Sequence, residues 1–142
     1  MQNSHKEDLR QMIADYMENG FLENIIDMFR HDSALYGVLG ELIRDERIRV
    51  RIGVTALMEE LRRLDPDNII LAQKNLLPLL DHTEPVVRGD AANLLGIIGD
   101  KASLPYLEER LSDENENVRL IAREAIDEIR DMIRITVAHR PV

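Results

Sequence analysis

The sequence predicts an all-α fold, a short solenoid of three helical hairpins behind an N-terminal helix pair. One observation is a pattern that occurs twice. Val87-Arg88, then Ala91, Leu94 and Leu95, returns 31 residues on (87 to 118) as Val118-Arg119, then Ala122, Ala125 and Ile126. A weaker copy stands 37 residues upstream (50 to 87) as Val50-Arg51, then Val54, Leu57 and Met58. A second observation is that apolar residues fall at helical spacing along the chain. Self-similarity at such a period marks a repeat array, in which no unit buries its apolar face without its neighbours.

Each element follows in order. Residues 5–18 place Leu9, Met12, Ile13, Tyr16 and Met17 at helical spacing, and Asn19-Gly20 is a helix stop. A second helix over 21–30 carries Phe21, Leu22, Ile25, Ile26 and Phe29 on one side. This pair, within 5–31, lacks the Val-Arg pattern and reads as a cap on the open end of the array.

The first repeat, 33–64, begins at Asp32-Ser33, either of which serves as N-cap. Its helix A covers 33–44 and its helix B 47–64, with Val50, Val54, Leu57, Met58 and Leu61 inward. Asp65-Pro66-Asp67 breaks the chain. The second repeat, 67–98, has helix A over 67–80 with a kink or break near Asn75, because Pro78 lies inside it. Thr83 caps its helix B, 84–98, and Gly99 ends it. The third repeat, 101–137, has helix A over 101–111 and a long helix B from near Asn115, with fraying from Ala138 to Val142.

Composition bounds the reading. A chain of 142 residues with 44% apolar content fits one globular domain, 1–142. Aromatics are 4% and Trp is absent, so an aliphatic, Ala-rich core is expected. Without Cys there is neither a disulfide framework nor thiolate chemistry. No apolar run approaches the ~18 residues of a membrane span, and MQNSHKEDLR lacks a signal-peptide core, so the expected compartment is the cytoplasm. A net charge of −9 argues against general nucleic-acid binding, which needs clustered cations. It favours solubility first and a basic partner second.

The segment LLDHTEPVVRGDAANLLGIIGDKASLPYLEERLSDENENVRLIAREAI resembles the HEAT-repeat superfamily, and most closely its short prokaryotic repeats of the phycobilin-lyase type. The shared marks are Val87-Arg88, Ala91-Ala92, Leu95-Gly96, Gly99-Asp100, and again Asp113 with Val118-Arg119. The resemblance implies a right-handed superhelix whose B helices line a concave, partner-binding face. It also implies a structural ladder of Asp45, Arg51, Arg88, Asp113 and Arg119 that bonds within and between units. Asp45 precedes Arg51, and Asp113 precedes Arg119, by the same interval. A guanidinium suits this role, having five donors for carboxylates and turn carbonyls. His82 stands in the Asp slot before Arg88. Either Asp81 or Glu84 substitutes, or that rung is weaker and pH-sensitive.

The repeat offsets align outward positions of the B helices, and Ile52, Asp90, Asn93, Ile97, Leu120 and Glu124 are the expected partner-binding residues. Aligned apolar residues at Ile52, Ile97 and Leu120 point to protein contact. Arg44, Arg47, Arg49 and Arg51 crowd into eight residues, with Asp45 and Glu46 among them. They read as an ion-pair network, with a phosphate site as the alternative. At the C-terminus, Ile133 and Val137 form an edge that a homodimer would bury.

No catalytic constellation emerges. His5, His31, His82 and His139 are far apart, and no phosphate loop or nucleophile elbow occurs. The serines sit at expected helix ends. No metal and no cofactor is expected. The sequence favours a non-catalytic scaffold, adaptor or regulatory subunit that binds another protein. Two alternatives are a lyase-like or other modifying-enzyme component and a nucleic-acid binder.

Overall fold

A computed structural model describes residues 2–138, with backbone alone at residues 2 and 3. His139 and the expected fraying past Ala138 lie outside the described residues. Among those residues there are helices and no strand, so the fold is the all-α helical repeat of the α-solenoid class. The chain divides into two compact units, Met1–Asn75 and Leu76–Val142. The division falls inside the stretch read as helix A of the second repeat.

The first unit contains α1 (Gln2–Glu18), α2 (Leu22–His31), a 3-10 segment Ser33–Val38 that runs into α3 (Leu39–Leu42), and α4 (Ile48–Leu64). A 3-10 turn, Ile69–Ala72, and the first residues of α5 (Gln73–Leu76) complete it. The spacing argument holds best in α4, where Val50, Val54, Leu57, Met58 and Leu61 are all buried and α1 and α2 pack against the helix. Gly53 sits under Met17 of α1, and a Cβ at that position would overlap the Met17 thioether. Gly20 turns the chain after α1 at φ 83°, a conformation that disfavours any side chain.

The core of this unit is less aliphatic than composition implies. Phe29 and Tyr36 are fully buried and meet edge to face, with ring centroids 5.2 Å apart. The Tyr36 hydroxyl donates to Asp65 Oδ2 at 2.9 Å, and Asn68 Nδ2 donates to Asp65 Oδ1 at 2.9 Å. These bonds pin the break after α4. Burial, helped by Asp65, pushes the Tyr36 phenol above its usual range. On α1, Met12 and Tyr16 are partly exposed and Ala14 takes an inward position. Phe21 is also exposed, with its ring edge-on to Tyr16.

The second unit contains the 3-10 segment Leu77–Asp81, α6 (Pro85–Ile98), α7 (Leu104–Glu109) between the 3-10 turns Lys101–Ser103 and Arg110–Ser112, and α8 (Glu116–Ala138). The packing of α6 on α8 organises it. A Cβ at Gly96 would lie 2.9 Å from Ala125 Cβ and 3.0 Å from its Cα, so the two helices approach through an absent side chain. Gly99, at φ 77°, ends α6 against Met132.

The B helices follow the sequence closely, but the A helices do not. None of 33–44, 67–80 and 101–111 is one α-helix; the first is a 3-10 segment running into a short α-helical piece, and the other two are short α-helical pieces flanked by 3-10 turns. Pro78 and Pro105 supply no amide proton and clash with the preceding turn, and Gly37 and Gly40 weaken the first stretch. The tighter 3-10 winding keeps the hydrogen bonds local where α-geometry is broken.

Replacing Gly96 by Val forces a branched side chain against Ala125. Overpacking of this kind costs about 1–3 kcal/mol, so a urea melt of Gly96→Val is expected to shift to lower midpoint with the helical spectrum retained.

Candidate functional site

Each B helix is preceded by the same turn. Asp45 Oδ1 accepts the Arg47 amide at 2.9 Å, and Asp113 Oδ1 accepts the Asn115 amide at 2.9 Å. In the middle repeat, His82 Nδ1 accepts the Glu84 amide at 3.0 Å, which leaves the ring proton on Nε2. A side-chain acceptor two residues ahead of the amide satisfies one of the donors that a helix start leaves open. His82 thus fills the capping half of the Asp role. Asn115 adds a second cap on α8, accepting from Asn117 N at 2.9 Å and Val118 N at 3.2 Å.

The arginine rungs differ from simple pairing within a repeat. Arg88 donates from Nε and Nη2 to the two oxygens of Asp113, at 2.9 Å each, and both residues are buried. Its Nη1 donates to the carbonyls of His82 at 2.8 Å and Thr83 at 3.1 Å. Arg119 donates to the backbone carbonyl of Asp113 at 2.7 Å, not to the carboxylate. The carboxylate is already committed to Arg88, to Arg110 and to the Asn115 cap, and an arginine one turn into the helix reaches the turn carbonyl. The Arg88 rung therefore uses the backbone at position 82, where side-chain identity is indifferent. Of the expected substitutes, Asp81 turns elsewhere, 3.7 Å from Arg110.

Asp45 shows the same division of labour with unforeseen partners. Arg47 Nε and Nη2 donate to it at 3.0 and 3.1 Å, and Arg10 Nη1 reaches it from α1 at 3.5 Å. Arg47 also bonds Asp15 at 2.9 Å. Arg10 approaches Asp45 from α1 with one nitrogen and bonds chiefly to Glu7, a weaker tie than the two-nitrogen grip of Arg88 on Asp113, and no Val-Arg pattern marks it. The Arg47 bonds hold the Asp45 carboxyl below its usual range against the effect of burial. An open cleft of about 720 Å³ beside this network is lined by both signs of charge, from Glu7, Arg10, Glu41, Arg44, Glu46 and Arg47 among others.

The outward residues divide. Ile52 on α4 is 64% exposed and Leu120 on α8 is 55% exposed; Glu124 is exposed. Asp90 and Asn93 are half-buried. Ile97 is a correction: it is 3% exposed and cannot form part of a surface. α6 is apolar on nearly every side, and such a helix is an interior one. Arg51 is half-buried. At the end of α8, Ile135 and Val137 are exposed and Ile133 is half-buried. Among the described residues no group of His, Asp or Glu is placed to hold a metal ion, and no helix is long and apolar enough to cross a membrane.

Capped turns before each B helix, the buried Arg88–Asp113 rung and the Gly96–Ala125 helix contact define a helical-hairpin repeat protein. Residues 37–127 match the family model of HEAT repeats, and the chain belongs to that family. HEAT repeats commonly mediate protein–protein interaction. No curated protein matches the chain.

The Asp113 rung has a pH signature. Hydrogen bonds from Arg88 lead in holding its carboxyl below the usual range, against burial. Its stabilisation is therefore complete above the unfolded pKa of ~3.9 and is lost as pH falls through the folded value. Removing one partner of a buried pair costs about 3–5 kcal/mol. Asp113→Ala is expected to lose that much in urea unfolding at neutral pH, with the gap to wild type closing below about pH 4.

Proposed function

We propose that the protein is a non-catalytic scaffold, an adaptor or regulatory subunit, that binds other proteins through the outward positions of its B helices. It works in the cytoplasm and without a cofactor. The observation that carries this reading is the exposure of Ile52 and Leu120. One exposed aliphatic side chain means little on any protein. Here two stand at the same repeat position, one on α4 and one on α8. Each forgoes the ~1.5–3 kcal/mol that burial of such a side chain provides, and a partner surface restores it. The further resemblance to lyase-type repeats has no comparable observation behind it.

A photoreactive residue placed singly at 52, 120 and Lys101 tests this in extract. Adducts are expected at 52 and 120 well above the yield at Lys101, and are expected to fall when unlabelled protein competes. Equal yields at all three positions, or none, would contradict the reading.

The end of α8 is a second surface in the same proposal, where Ile133 and Val137 pair with another copy of the chain. Sedimentation equilibrium is expected to give a dimer for wild type and a monomer for Ile133→Asp with Val137→Asp. A monomeric wild type removes this part.

A further inference from the structure

The reading above leaves the partner's chemistry open, and the start of α4 narrows it. Ile48 and Ile52 are 65% and 64% exposed, more than any other large apolar side chain among the described residues. They stand one helical turn apart and so present adjacent side chains. Arg49 lies between them in sequence and three residues before Ile52, on the neighbouring strip of the same helix surface. Arg44 stands in the turn that leads into α4.

The charges here oppose those of the chain. Residues 44–52 hold four arginines against two carboxylates, in a protein of net charge −9. One of those carboxylates, Asp45, is taken up by Arg47 and Arg10. Arg47 is in turn engaged by Asp45 and Asp15. Arg44 and Arg49 are exposed and form no ion pair or side-chain hydrogen bond among the described residues. The first turn of α4 contains no acid. A cation in that position meets the positive end of the helix dipole, which disfavours it. The sequence thus holds free positive charge where the helix opposes it, beside uncovered apolar surface. A local rule broken without internal compensation is what a binding surface shows.

We infer that the first two turns of α4 dock an acidic segment of a partner protein. Its apolar residues cover Ile48 and Ile52, and its carboxylates meet Arg49 and Arg44. The inference rests on the scaffold reading and adds the sign of the partner. The negative field of the rest of the chain repels the same segment elsewhere, which confines it to this surface.

The test uses two fluorescent amphipathic peptides, one of Leu, Glu and Ala and one of Leu, Lys and Ala, titrated onto the full chain by anisotropy. The acidic peptide is expected to bind, the basic one not. Arg49→Glu is expected to weaken the acidic peptide about tenfold or more, the equivalent of one lost charge contact. Ile52→Asp is expected to abolish binding, and Arg44→Glu with Arg49→Glu to admit the basic peptide. All these sites are exposed, and unchanged thermal melts confirm intact folding. Absent binding of the acidic peptide, equal binding of the basic one, or unchanged affinity in Arg49→Glu overturns the inference. Photo-adducts at position 52 that persist in Arg49→Glu would mean that the scaffold reading stands while the acidic partner falls. Loss of adducts from the wild type itself would remove both.

Discussion

The carboxylate of Asp113 has four donors to satisfy: two from Arg88, one from Arg110 and the amide that begins the turn into α8. That single group ties the turn of one hairpin to the B helix of the one before it. A buried carboxylate with so many partners tolerates little displacement, because any donor left open in the interior costs about 1–3 kcal/mol. The separation of α6 and α8 follows from this tie and from the glycine at 96, where a side chain would press on Ala125. Specific polar bonds set the register of the helices, and aliphatic burial supplies the driving force.

The first unit solves the same problem with different residues. Asp45 receives an arginine from α1 and another from its own turn, while Gly53 admits Met17 where Gly96 admits Ala125. α1 therefore contributes a long Arg10–Asp45 contact at the turn before α4 and the close approach of Met17 to Gly53, besides packing on α4. Tyr36 and Asp65 add a bond that holds the longer connection after α4, whereas the tyrosine of the second unit, Tyr106, is exposed.

What was legible in the sequence follows from which physics is local. The B helices were readable to within a residue or two, because apolar spacing and end signals such as Gly99 lie within one helix. The A helices misled, since their apolar spacing is helical while their prolines and glycines impose 3-10 turns. Asp45, Arg88, Asp113 and Arg119 all bond at the turns before the B helices, within and between repeats, but the atoms each takes depend on packing between helices, as in Asp113 giving its carboxylate to Arg88 and its carbonyl to Arg119. Arg10 carried no motif and could not have been singled out. Ile97 shows the reverse failure. An outward place in the repeat pattern implied exposure, yet α6 is apolar on so many sides that it lies in the interior.

The buried Arg88–Asp113 rung keeps its polar chemistry inside the second unit, while outward positions of α4 and α8 stay exposed. In the proposed function, binding resides in residues such as Ile48, Ile52 and Leu120, which stand exposed. The claim on which this division stands is that the Arg88–Asp113 rung is an energetic link between hairpins. A double-mutant cycle with Arg88→Met and Asp113→Leu, read by urea unfolding at neutral pH, measures that link directly. The account predicts a coupling of at least about 1 kcal/mol, with the double variant far less destabilised than the single variants imply. Additive effects would contradict it.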